Sequence, residues 1–199
     1  MGTVSEVPTP WICLRHDLRM LGISESGILL KTDGTMADNA AALRGGHLDA
    51  IQVFQPFAAL LEGEGAGHIW YSSANRGLTS YTTFNTTRGF LDREPDIALR
   101  MCRAMYRTQK WIAAHSGEDL AVAIAGYFPD LPQRVLAASF DGYKALGVWN
   151  RTPLLERGAL EWLRAAALAS GLLRRPLPYE ECVDMRFAAQ VVGENPPSL

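Results

Sequence analysis

The sequence has few cysteines, no long apolar run and no excess of positive charge. Its cysteines, Cys13, Cys102 and Cys182, are widely spaced and odd in number, which predicts neither a disulfide framework nor a CxxC metal pair. No apolar run reaches the roughly 20 residues that cross a bilayer, so a transmembrane span is not expected. With 19 Lys and Arg against 21 Asp and Glu, the net charge of -2 disfavours nucleic acid and anionic membranes as partners.

The composition is that of a globular chain with one ordinary core. Of the 199 residues, 48% are hydrophobic and 20% are charged, which argues against intrinsic disorder. Cys13 and His16 could share a helix face, but zinc needs more ligands and none lies nearby, so no metal and no cofactor are expected. Residues 1–10 contain no basic cluster followed by an apolar segment, so no signal peptide is predicted in this chain. The chain is then either cytoplasmic or lacks its natural start.

The first 75 residues alternate between helix and strand signals. Helices are expected over 10–22, 36–45 and 57–61. Apolar runs between and after them predict strands at 27–30, 48–54 and 68–72. Thr9 would be the N-cap of the first helix and Pro10 its first helical residue. This alternation is typical of an α/β unit with a mostly parallel sheet.

The remaining chain is helical apart from one extended stretch. Residues 81–87 are rich in Thr and aromatic side chains and predict a last strand. From Pro95 onward helical periodicity dominates, with breaks at 117, 129–132, 147–153 and 171–178. In the longest helix a basic stripe accompanies the apolar one, formed by Arg100, Arg103, Arg107 and Lys110. It could suggest nucleic acid, but the acidic overall balance makes a solvated helix face the default interpretation. Because this half of the chain has a single predicted strand, the apolar faces of its helices would have to pack against a sheet contributed from elsewhere.

Several short motifs, in order and spacing, resemble one known family. They are AALRGGHLDA at 41–50, Gln55-Pro56, YTT at 81–83, TTRGFL at 86–91, YFPDL at 127–131 and Pro178-Tyr179-Glu180. Together they look like the ABC-transporter substrate-binding proteins for nitrate, sulfonate, taurine and thiamine-pyrimidine precursors. The resemblance covers nearly the whole chain.

The resemblance implies an α/β fold of the type II periplasmic-binding-protein class, with two lobes and a ligand cleft between them. Residues 1–75 would form most of lobe two, and residues 76–199 the helix-rich, C-terminal half of lobe one. The first half of lobe one and the family's signal or lipoprotein peptide would be missing. For the full-length protein, the resemblance implies a periplasmic or cell-surface location.

The same resemblance implies where a ligand would bind. Thr9, Pro10 and Trp11 begin a helix whose free N–H groups suit an anion. Phe54 and Gln55 would end a strand at the cleft, and the cleft wall would be formed by Tyr81, Thr82 and Thr83. The alternatives are an ordinary capped helix with Trp11 in the core and a strand whose residues simply pack.

The function implied is that of a monomeric solute-binding component that delivers a small molecule to an ABC permease. Nitrate, sulfonate, taurine and an aminopyrimidine all remain open as ligands, although Trp11, Phe54 and Tyr81 favour an organic or aromatic body. The alternatives are a pyrimidine-synthesis enzyme of the same fold and a non-functional truncated remnant. No catalytic residue is predicted, since the four histidines form no known motif: His16, His47, His68 and His115.

Overall fold

The computed structural model describes residues 1–199 and is built from helices. The ten α-helices are Thr9–Met20 (α1), Met36–Arg44 (α2), Phe57–Gly63 (α3), Arg88–Arg93 (α4), Pro95–Ala114 (α5), Gly117–Ile124 (α6), Gln133–Ala145 (α7), Arg157–Ala169 (α8), Tyr179–Cys182 (α9) and Arg186–Glu194 (α10). With three short 3-10 helices they comprise 56% of the residues, and no sheet is present. No helix combines the length and the apolar composition needed to cross a membrane.

The predicted α/β fold of the type II periplasmic-binding-protein class is therefore wrong for this chain. The only strand-like pairing consists of two isolated parallel bridges that join Gly2 to Lys31 and to Ile51. The predicted strands at 27–30, 48–54, 68–72 and 81–87 do not form. A strand needs the backbone of a neighbouring strand, and the last two segments form no backbone hydrogen bond with another strand. The division into 1–75 and 76–199 stays a prediction.

The helix signals in the sequence were more reliable than the strand signals. Helix α1 begins at Thr9, one residue before the predicted start, and its N-cap is Pro8. In α2 the Thr35 hydroxyl accepts a hydrogen bond from the Asp38 N–H at 3.1 Å, and the Asp38 carboxylate accepts one from the Thr35 N–H at 3.0 Å. This capping box fixes the start of α2, and Ser116 with Asp119 forms the same motif at α6.

Two small apolar clusters hold the helices together. In one, Ile12 and Cys13 of α1 pack with Ala167 of α8. In the other, Ala121 of α6 packs with the adjacent residues Leu136 and Ala137 of α7. Gly117 permits the close approach of α6 to α7, because a Cβ at this position would overlap the Ala137 carbonyl.

The N-terminal segment is fixed to the helices by one buried amide. Asn39 is fully buried, and its Nδ2 donates to the carbonyl oxygens of Thr3 at 2.9 Å and Gly34 at 3.3 Å. Gly2 and Gly34 lie so close to this side chain that neither position has room for a Cβ atom. Asn39 thereby links the segment before α1 to the turn before α2.

Much apolar surface remains exposed. Only 22 of 199 residues are buried, so the core is thin for a chain of this composition. Leu29, Trp70 and Tyr127 are 90%, 87% and 83% exposed. The apolar helix faces that the sequence left without a partner are thus only partly covered by this chain.

Candidate functional site

Predicted binding residues from three separate segments meet near the start of α1. The rings of Phe54 and Tyr81 lie 5.9 Å apart, between centroids, and are tilted by 44°. The Tyr81 phenol lies beside the Thr9 side chain. Burial raises the pKa of Tyr81, and hydrogen bonding with Thr9 acts in the opposite direction. A phenol with a raised pKa stays protonated at neutral pH, so Tyr81 is a hydrogen-bond donor.

The N-terminus of α1 has free donors. Its first backbone hydrogen bond runs from the Ile12 N–H to the Pro8 carbonyl at 3.2 Å, so the N–H groups of Thr9 and Trp11 have no backbone acceptor. No side chain caps this end of the helix. The predicted alternative of a capped helix with Trp11 in the core does not describe it, since Trp11 is only half-buried and lies under the Arg15 guanidinium.

Pro10 is held in place by a chain of polar contacts. Gln52 Nε2 donates to the Pro10 carbonyl at 3.0 Å, and the Thr3 hydroxyl donates to Gln52 Oε1 at 2.7 Å. Because Thr3 is buried, these bonds fix the start of α1 to the protein interior. Gln52 stands only two residues before Phe54 but was not among the predicted site residues.

One of the two polar groups of the Gln55 side chain forms a hydrogen bond within the chain. Its Oε1 accepts a hydrogen bond from the Ala59 N–H at 3.0 Å and so satisfies one of the first donors of α3. Its Nε2 has no acceptor in the chain, so these N–H groups remain available to a ligand. Its backbone N–H donates to the Tyr143 hydroxyl at 3.1 Å. Tyr143 was likewise not among the predicted site residues.

Thr82 and Thr83 lie outside this group. Both are exposed, and neither side chain forms a hydrogen bond with the rest of the chain. The Thr83 carbonyl accepts a bond from the Asn85 side chain at 3.0 Å, which is a local turn contact. The structure thus brings Thr9, Phe54, Gln55 and Tyr81 together at the N-terminus of α1. We call this group the Tyr81 surface.

Other polar features lie elsewhere on the molecule. A cleft of about 410 Å³ between α4, α5 and α10 is lined by Leu91, Asp92, Pro95, Arg186, Phe187 and Gln190. In this region Arg186 is paired with Asp184, whose pKa it lowers by hydrogen bonding. No three His, Cys, Asp or Glu side chains gather where they could hold a metal ion.

Comparison with known proteins identifies the family. The model of the NMT1-like family matches residues 1–126. The chain belongs to the NMT1-like family. The resemblance inferred from the motifs is thus confirmed as a family relationship, and the NMT1-like match includes every residue of the Tyr81 surface but not Tyr143.

A curated relative of this NMT1-like chain is the "Putative binding protein YtlA" of Bacillus subtilis (strain 168). The two are 33% identical over 160 residues, which is 80% of this chain and 48% of the relative. The chain therefore spans about half the length of the curated relative that it matches. No solved structure matches the chain.

Proposed function

We propose that this chain binds a small solute at the Tyr81 surface. The observation that carries the proposal is that unpaired hydrogen-bond donors at the start of α1 lie close to the aromatic rings of Phe54 and Tyr81. The Tyr81 side chain joins the two parts, because its phenol lies beside Thr9 at the start of α1, where two N–H groups are unpaired, and its ring lies beside the ring of Phe54. Such a combination of a few polar groups with aromatic walls is typical of small-molecule sites.

The chemistry of the Tyr81 surface favours a small organic anion. The N-terminus of a helix carries a partial positive charge, and its N–H groups bind anionic oxygens without help from Lys or Arg. The rings of Phe54 and Tyr81 would contact an organic body. A sulfonate such as taurine has both an anionic head group and an organic body. Nitrate has no organic body, and an aminopyrimidine has a ring with fewer anionic features.

We extend this proposal to a role in import. The chain would be the solute-binding component of an ABC importer, act as a monomer at the cell surface or in the periplasm, and deliver its ligand to a membrane permease. The name of the Bacillus subtilis relative describes a binding protein, which supports this role over a pyrimidine-synthesis enzyme.

Isothermal titration calorimetry with nitrate, taurine, hexanesulfonate and 4-aminopyrimidine tests the binding proposal. We expect at least one of them to bind, and Tyr81→Phe to weaken that binding about tenfold, because the variant keeps the ring and loses one hydrogen bond to a charged group. Tyr127→Phe is the matched control, since Tyr127 is 83% exposed and its hydroxyl forms no hydrogen bond. If none of the four ligands bound, or if the two variants behaved alike, the proposal would be wrong.

A further inference from the structure

Tyr143 has a hydroxyl proton that the chain does not use. The phenol oxygen accepts a hydrogen bond from the Gln55 N–H at 3.1 Å, but the hydroxyl donates to no group in the structure. A tyrosine hydroxyl can accept and donate at the same time. The accepted bond fixes the position of the oxygen, and the proton remains available to an outside acceptor.

The ring of Tyr143 is held by its neighbours. It lies against Trp149 at 5.6 Å between centroids and 75° between planes, which is the favoured edge-to-face arrangement. Trp149 also contacts Phe140 at 5.8 Å, and Phe140 packs against the cluster that joins α6 to α7. Tyr143 is therefore carried by a supported helix rather than by a loop.

Tyr81 and Tyr143 contact two adjacent residues. Tyr81 contacts the ring of Phe54, and Tyr143 contacts the backbone of Gln55, the next residue. A charge on Tyr143 would raise the pKa of Tyr81, which agrees with this proximity. The two phenols are 62 positions apart in the sequence and contact the adjacent residues 54 and 55.

We propose that Tyr143 is a specificity-determining residue of the Tyr81 surface and donates its hydroxyl proton to an oxygen of a bound sulfonate or carboxylate. This inference rests on the proposed function and narrows its ligand class. The available groups are N–H and O–H donors: two backbone N–H groups, the Gln55 amide and the hydroxyls of Tyr81 and Tyr143. A head group made only of acceptor oxygens can use several of these donors, whereas an aminopyrimidine also brings donors of its own.

The test compares hexanesulfonate with 4-aminopyrimidine by calorimetry. The wild-type chain is expected to prefer hexanesulfonate, and Tyr143→Phe to weaken hexanesulfonate binding about tenfold, the usual effect of losing one hydrogen bond to a charged group. Binding of 4-aminopyrimidine should change much less. A purely structural role would lower both affinities by the same factor, so equal losses would overturn the inference.

A double-mutant cycle with Tyr81→Phe strengthens the test. If both phenols donate to the same head group, the effects of the two substitutions on hexanesulfonate binding should not add, because the ligand shifts once one donor is lost. Additive effects would argue against a shared head group and overturn the inference. Urea unfolding of Tyr143→Phe measures how far the free energy of unfolding falls when the Gln55 N–H loses its acceptor.

The outcomes also separate the two proposals. If hexanesulfonate binds and Tyr81→Phe weakens it while Tyr143→Phe leaves it unchanged, the inference about Tyr143 fails and the proposed function stands. If the wild-type chain binds neither ligand, both the inference and the choice of an anionic ligand fail. Tyr127→Phe should match the wild type in every titration.

Discussion

The guanidinium of Arg76 is bound by both carboxylate oxygens of Asp17. Arg76 Nη2 lies 2.6 Å from Asp17 Oδ2, and Nε lies 3.2 and 3.0 Å from the two oxygens. The side chains are only 9% and 17% exposed, and the guanidinium lies 4.9 Å from the ring centre of Trp162. This pair joins the 3-10 helix Ser73–Arg76, which follows α3, to α1 and α8.

Replacing Asp17 with Asn should lower the free energy of unfolding by about 3 kcal/mol, because the variant leaves a buried guanidinium without its counter-charge. Urea unfolding measures the change. Glu64→Gln is the matched control, since the Arg44–Glu64 pair is 39% and 45% exposed. An exposed pair contributes less than about 1 kcal/mol. If both variants lost the same free energy of unfolding, burial of the Arg76–Asp17 pair would not contribute to its stabilising effect.

The contrast between helices and strands shows what the sequence could predict. The hydrogen bonds of a helix join residues four apart, so local signals such as the Thr35 capping box suffice to place α2. The hydrogen bonds of a strand join residues distant in sequence. Residues 81–87 have the composition of a strand, yet nothing in their sequence supplies the neighbour that would pair with them.

The same distinction applies to the candidate site. Thr9 and Phe54 could be proposed from sequence because each stands at the boundary of a predicted element. Tyr143 could not, because its contact with Gln55 spans 88 residues and depends on how α7 packs. No local pattern marks a tyrosine inside an amphipathic helix as a binding residue.

Acid should destabilise the chain through its two capping boxes. Hydrogen bonds from Thr35 lower the pKa of Asp38, and hydrogen bonds from Ser116 lower the pKa of Asp119. When the pKa of a carboxyl group is lower in the folded chain, the unfolded chain takes up the proton first as the pH falls. The stabilisation is thus present above the ordinary carboxyl pKa of about 4 and is lost as the pH falls through the lower, folded value.

The melting temperature should therefore be nearly constant from pH 7 to about pH 5 and fall below about pH 4. The double variant Asp38→Asn, Asp119→Asn should melt below the wild type at pH 7, and the difference should shrink toward pH 3. Asp33→Asn with Asp130→Asn is the control, since both are exposed and neither carboxylate forms a hydrogen bond. A difference that stays constant with pH would contradict the linkage.

The basic stripe of α5 binds the end of the chain rather than facing solvent alone. Lys110 Nζ lies 2.6 Å from Asn195 Oδ1 and 2.5 Å from the Pro196 carbonyl. Arg107 donates to the carbonyls of Pro197 at 3.1 Å and Ser198 at 3.3 Å. The default interpretation as a solvated face thus holds best for Arg100, whose one contact is with its own helix.

Removing two of these donors should release the tail. In the double variant Arg107→Ala, Lys110→Ala, residues 195–199 lose their charged partners, and no apolar contact in the buried core replaces them. We expect the NMR order parameters of the Ser198 and Leu199 amides to fall from near 0.85 to below about 0.6, the range of flexible backbone. Arg100→Ala removes a similar charge from the same stripe and should leave both amides unchanged. Tail mobility that is identical in all three proteins would show that the stripe does not hold the tail.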